Sequence, residues 1–319
     1  MKYQKKIDLS KKTNIPHHTG GWNFVLKILD EFHSGDGIYV DDLADITFGN
    51  SYEYSIYKKI IPYKVNWVGF FHHPLNIAPW YPKNFLMKPV VMISSDEFKE
   101  SQKKCKGIYT FSKSMATWYK QKLPKIKVEP LWHPTKSSDK LFDIDYFLSN
   151  PRPKVYSIGF FLRRMSSIYF LKCDKYERVI LVNPLVYDNL YKEMSYFKYD
   201  LDFTAVKFKS YVSADEYDKI LSKNVVFLDL YDSCANNIII ECIARNTPVL
   251  VNKHEAIVEY LGEKYPLYYS SIEEASAKLM DKGLLTEAYF YLSELETKKK
   301  ITSEYFVKSF YNSGIYSSL

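Results

Sequence analysis

The sequence has little that would cross-link it. It carries only four cysteines, Cys105, Cys173, Cys234 and Cys242, far apart and in no C-x-x-C pair. That argues against a zinc ribbon or redox dithiol and fits a reduced, intracellular chain. No stretch approaches 18 apolar residues, so nothing is expected to span a bilayer. The opening MKYQKKIDLS is basic but lacks an apolar core of signal-peptide length. Charge of one sign is also scarce: 44 Lys and Arg against 37 Asp and Glu leave +7, too dilute to argue for nucleic acid as a partner. No repeat of fixed period and no low-complexity tract is present. What abounds is aromatic. Tyr, Phe and Trp reach 17% of the 319 residues, enough to fill a large core and still line a binding cleft.

Short β-rich runs alternate with amphipathic stretches, the pattern of α/β units on mostly parallel sheets. In the first half strands are expected at Gly37–Val40, Asn66–Phe71, Val90–Ile93 and Gly107–Phe111, with helices over Trp22–His33 and from an N-cap at Ser112 to about Leu123. Pro134–Pro153, polar and with three prolines, reads as the connection between halves. In the second half strands are expected at Lys154–Phe160, Val179–Val182, Phe203–Phe208, Asn224–Leu230 and Thr247–Val251. Ser213–Glu216 and Ser271–Glu274 fit capping boxes that open helices, and the tail from Glu287 to about Tyr311 reads as helical. The expected domains are 1–135, a linker at 136–153, 154–302, and a C-terminal helix at 303–319 that can pack back on the first domain.

Ligands of open α/β sheets bind beyond the carboxyl ends of the strands, so the loops there hold the candidates. In Asn224–Gly262 a strand leads through a polar loop to Asn236 and Asn237, a capping pair, and then to a helix with Glu241 one turn in. A helix start offers free amides and partial positive charge to a phosphate, and a carboxylate can accept two sugar hydroxyls. The ordinary alternative is an exposed glutamate behind a plain cap. Arg163, in Gly159–Arg164 after the first strand of this half, offers a planar fork suited to phosphate, or is a surface charge. In Pro16–Trp22, Gly20 and Gly21 allow close backbone approach before a helix, beside His17 and His18. His72 and His73 end the strand that begins at Trp67. Adjacent strand residues point to opposite faces, so one of the two faces a site. No ligand spacing accompanies them, and no metal is expected. The triplets Asp143–Asp145 and Asp200–Asp202 are rejected as metal sites.

The Asn224–Gly262 segment resembles the donor-binding signature of GT-B glycosyltransferases: two glutamates eight positions apart, then a small-x-Gly-x-Pro-Val turn. Glu241 matches the second glutamate, Ser233 stands where the first would be, and Asn246 stands for the usual glycine. Gly107–Ser114 and Val128–Thr135 are similar to the end of the acceptor domain of that superfamily. The set looks close to uncharacterised viral and bacterial glycosyltransferases with an ECIARNTP-type motif. The resemblance implies two Rossmann-like domains facing across a cleft. It implies donor binding by Gly20, Gly21, Arg163, Ser233, Asn236, Asn237 and Glu241, and His18 or His72 as catalytic residue.

The expected activity is metal-independent transfer of a hexosyl or pentosyl group to a glycan, glycoprotein or lipid-linked acceptor. The nucleotide sugar is a co-substrate and no cofactor is needed. The expected location is the cytoplasm (the host's, if the protein is viral), with peripheral membrane association left open. Two alternatives stand beside it: a non-catalytic nucleotide- or carbohydrate-binding protein on the same scaffold, and a sugar-nucleotide epimerase of similar architecture.

Overall fold

The computed structural model describes residues 3–13, 21–49, 61–81, 88–182, 184–210 and 212–319. The chain forms two compact units. One comprises Met1–Ile77, Pro82–Lys136 and Lys299–Leu319, the other Ala78–Tyr81 and Ser137–Lys298. Each is a parallel sheet with helices.

The first sheet runs β1 (Ile7–Asp8), β2 (Ile38–Asp41), β3 (Trp67–Phe71), β4 (Cys105–Thr110) and β5 (Val128–Pro130), in chain order and all parallel. β3 is buried along its whole length, as expected for a strand covered on both faces. Its side chains alternate. Phe70 packs with Trp22, Tyr109, Phe111 and Phe310 on one face, and Phe71 with Phe98 and Tyr119 on the other. The Lys113–Lys122 helix starts where Ser112 accepts from the Met115 amide. The chain's end closes this unit: the Glu129 carboxylate accepts from the Gly314 and Ile315 amides, and Tyr109 and Ser313 share a hydrogen bond of 2.6 Å.

The second sheet has the order β11-β10-β9-β6-β7-β8, again all parallel. Its strands are β6 (Lys154–Ile158), β7 (Glu177–Val182), β8 (Lys207–Ser210), β9 (Val225–Leu228), β10 (Val249–Asn252) and β11 (Tyr268–Tyr269). The chain enters at β6, builds outward to β8, then returns to the other side of β6 with β9. That reversal is the doubly wound arrangement, in which ligands generally bind beyond the carboxyl ends of the strands where the order reverses.

Two expected strands differ. Val90–Ile93 lies in a helix, Pro89–Met92, that starts on a proline and leaves Val90 and Val91 exposed. Proline pre-sets the helical φ and its missing N–H costs nothing in the first turn. Phe203–Ala205 is a 3-10 turn capped by Asp202, and β8 begins only at Lys207. The segment 136–153 belongs to the second unit from Ser137 onward, where Phe142 and Phe147 are buried and Ile144–Ser149 is helical. Among the described residues no helix is long and apolar enough to cross a membrane.

Candidate functional site

In the second unit the reversal point gathers five of the residues singled out in the sequence, Arg163, Ser233, Asn236, Asn237 and Glu241. The loop after β6 turns at Gly159, where φ is +82°, a conformation that costs glycine nothing. The missing side chain makes room for Arg163: a Cβ at Gly159 would lie 1.4 Å from its Nη1. Nη1 donates to the Ile158 carbonyl at 2.6 Å, and Nη2 to the Asn236 Oδ1 at 3.2 Å. The guanidinium therefore bridges the loops after β6 and β9. Its Nε is buried and has no hydrogen-bond partner among the described residues. Burial pushes the Arg163 pKa down to about 10, which leaves it charged at neutral pH.

Asn236 caps the Asn237–Arg245 helix, its Oδ1 accepting from the Ile238 and Ile239 amides at 3.1 and 3.4 Å. The helix is apolar on its packed side, where Ile239, Ile240, Cys242 and Ile243 are buried. It ends on Asn246 in the left-handed region, φ 61° and ψ 26°, which asparagine tolerates better than most residues. One turn in, the Glu241 Oε2 accepts from the Tyr217 hydroxyl at 2.6 Å. Burial raises the Glu241 pKa, while the Tyr217 bond and the charges of Arg245 and Arg163 oppose the rise. Ser233 turns its hydroxyl to the Cys234 carbonyl at 3.2 Å.

A second polar group stands on the neighbouring loops. The Arg164 Nη1 lies 3.4 Å from the buried carboxylate of Asp229, and its guanidinium 5.8 Å from the Tyr231 ring centroid. Asp229 also accepts from Ser167. Asn252, at the end of β10, pins the loop by exchanging hydrogen bonds with the Leu230 amide and carbonyl. Tyr217, Arg164, Asp229 and Asn252 were not picked from the sequence. Asp229, Arg164 and Asn252 were findable, since each ends or follows an expected strand. Tyr217 carried no local signal.

In the first unit, Pro16–Gly20 with His17 and His18 lies outside the described residues. Gly21 is described, at φ 61°, and precedes the Trp22–Leu29 helix. His72 follows β3. Its backbone amide donates to Asp45, and its Nε2 lies 2.9 Å from the Asp42 carbonyl. Burial pushes the His72 pKa down to about 3, so the ring is neutral and Nε2 is its donor. His133 is buried, and its pKa is pushed down to about 4, with Nδ1 bonded to the Pro134 carbonyl. Both rings pack on Phe111 and Trp22. Asp143 and Asp202, from the two rejected triplets, are helix caps. Among the described residues no group of three or more His, Cys, Asp or Glu is arranged to hold a metal.

No protein-family model matches the chain, and no curated protein matches it. Solved structures do. A UDP-forming alpha,alpha-trehalose-phosphate synthase from Burkholderia vietnamiensis superposes with a TM-score of 0.55 at 10% identity, over 91% of this chain and 76% of that one. Anabaena Alr3699/HepE in complex with UDP-glucose gives 0.58 at 10% identity, over 93% and 82%. An S. aureus TarM mutant in complex with Fondaparinux, alpha-GlcNAc-glycerol and UDP gives 0.54 at 14% identity, over 78% of this chain and 51% of that one. The fold is thus α/β with two Rossmann-like domains, that of GT-B glycosyltransferases.

Proposed function

We propose that the chain is a glycosyltransferase that moves a hexosyl or pentosyl group from a nucleotide-sugar donor to a glycan, glycoprotein or lipid-linked acceptor, without a metal. The observation that carries this reading is the bridge from Arg163 to Asn236 across the reversal point, with Glu241 one turn into the helix that Asn236 opens. A cation and a helix start suit a diphosphate. A carboxylate beside them suits the ribose diol. The unpartnered Nε of Arg163 is a donor that an anion would satisfy, and leaving such a group unpaired is costly. The solved structures of like fold that contain UDP or UDP-glucose support the same ligand class.

In this reading Arg163 and the helix amides, with Asn237 beside them, stabilise the departing diphosphate. They are fixed before reaction, so they need no reorganisation as charge develops. A base must take the acceptor's proton. His72 is held neutral with its Nε2 committed to Asp42 and is a weak proton acceptor, which favours His18 for that role. A thermal-shift screen across nucleotide sugars tests the proposal: one of them should raise the melting temperature, because a ligand of the native state stabilises it. No shift with any of them would refute it.

One observation favours a second reading. Position 233 offers a serine hydroxyl turned to a backbone carbonyl rather than a carboxylate, as in a binding protein that has lost turnover. Hydrolysis of a bound nucleotide sugar, abolished in His18→Ala, decides for the enzyme.

A further inference from the structure

We infer that Tyr217 is a positioning residue of the donor site: it holds one oxygen of the Glu241 carboxylate and aims the other at the ribose diol, so that the site selects nucleotides with an intact diol. The inference rests on the donor-site reading above and extends it to a residue that the signature resemblance does not include.

The geometry comes from two helices that pack side by side. The Ala214–Lys223 helix follows β8, so its first turn, with Tyr217, lies at the carboxyl end of the sheet. The Asn237–Arg245 helix starts at the same end, after β9, and carries Glu241 in its first two turns. The Tyr217 hydroxyl donates to the Glu241 Oε2 at 2.6 Å. No other hydrogen bond to that carboxylate is made among the described residues.

The bond could be read as a link that merely ties the helices together, but a stronger tie stands beside it. Arg245 Nε and Nη2 both donate to the Asp218 Oδ1, at 3.1 and 2.5 Å, and Arg245 Nη1 donates to the Glu241 carbonyl at 3.2 Å. Arg245 is buried, and a multiply bonded, buried Arg–carboxylate pair fixes geometry. The helices thus keep their alignment without the phenol. What the phenol alone sets is the torsion of the Glu241 side chain. A free carboxylate rotates about its terminal torsion; one oxygen anchored to Tyr217 leaves the other in a defined direction, and the charge of Arg163 acts on the same carboxylate. A carboxylate held in place before the ligand arrives loses less entropy on binding. A site built to bond hydroxyls rejects the analogue that lacks them.

The test is calorimetry on the full chain with UDP, GDP, ADP and CDP, and with the 2′,3′-dideoxy analogue of whichever binds. Wild type should bind one of them at least about tenfold more tightly than its dideoxy analogue. Tyr217→Phe should keep the melting temperature near that of wild type, lose about tenfold in affinity for the ribonucleotide, and leave the dideoxy affinity unchanged. In the Glu241→Gln background the same change should add nothing, because residues that act through one another are not additive. Equal losses on both ligands, or additivity with Glu241→Gln, would show a general structural effect and overturn the inference while the donor site stands. Loss in Glu241→Gln with none in Tyr217→Phe would do the same. If wild type binds no ribonucleoside diphosphate, the donor reading falls and this inference with it.

Discussion

The two units are made of the same materials and differ in where the chain turns back. In the first, the strands lie in chain order from β1 to β5. In the second, the order reverses between β6 and β9, and the loops leaving those strands part in opposite directions. The polar groups follow this difference. At the reversal point of the second unit carboxylates stand beside a cation, Arg163, whose buried Nε has no partner among the described residues. In the first unit two buried acids are already occupied. Asp41 accepts from Leu43, Thr47 and Tyr63, and Asp42 from Thr13 and Trp22. The reversal point of the second unit holds a guanidinium with a buried, unpartnered Nε, and the first unit encloses carboxylates and neutral histidines.

This division predicts how substitutions in each unit act. If proton transfer belongs to the first unit, His18→Ala should lower the rate of sugar transfer by roughly 10²–10⁴-fold while nucleotide affinity stays within about twofold. Steady-state rates paired with calorimetry read both, and a parallel loss of affinity would erase the distinction. In the second unit, Glu241→Ala should weaken nucleoside diphosphate binding by about ten- to hundredfold, the worth of hydrogen bonds to a charged group. Unchanged affinity would remove the support for the site. Gly159→Ala forces a methyl into the Arg163 guanidinium at a positive φ, so it should reduce that affinity by about tenfold and lower the melting temperature by a few degrees.

The smallest effect sharpens the contrast in acids. Burial, with Asp42 adding to it at Asp41, pushes Asp41 and Asp45 up to about 7 from an ordinary 3.8. Between these values the folded state holds protons that the unfolded chain releases. Their contribution to stability is therefore full below about pH 4 and declines as pH rises toward 7. Glu193 in the second unit, also pushed up to about 7 by burial, adds a decline of the same sign. Melting curves across this range should flatten in part in Asp41→Asn and in part in Glu193→Gln. A slope untouched by either change would mean that these carboxylates stay ionised in the fold.

Much of the local structure was legible. Ser112, Ser213, Ser271 and Asn236 each cap the helix they were expected to open, because a cap bonds an amide two or three residues on. Even so, Ser271–Glu274 closes one residue early: the Glu274 carboxylate accepts from the Ser270 amide rather than that of Ser271. The run Val90–Ile93 misled because a short apolar stretch fits either period, and Pro89 decided for helix. Ala78–Tyr81 gave no hint that it joins the second unit, where the Trp80 ring meets Phe197 and Tyr231. Those partners lie more than a hundred residues away.

By itself the sequence determined the α/β class, the helix starts, Arg163 as a polar group after a strand and Glu241 as one a turn into a helix, since all of these depend on neighbours within a few residues. Only the tertiary structure decided that the second sheet reverses at β6, that Arg163 reaches Asn236 across that reversal, and that Tyr217 holds Glu241. Strand order and the meeting of side chains on separate helices arise from contacts between segments distant in the chain, and no local spacing encodes them.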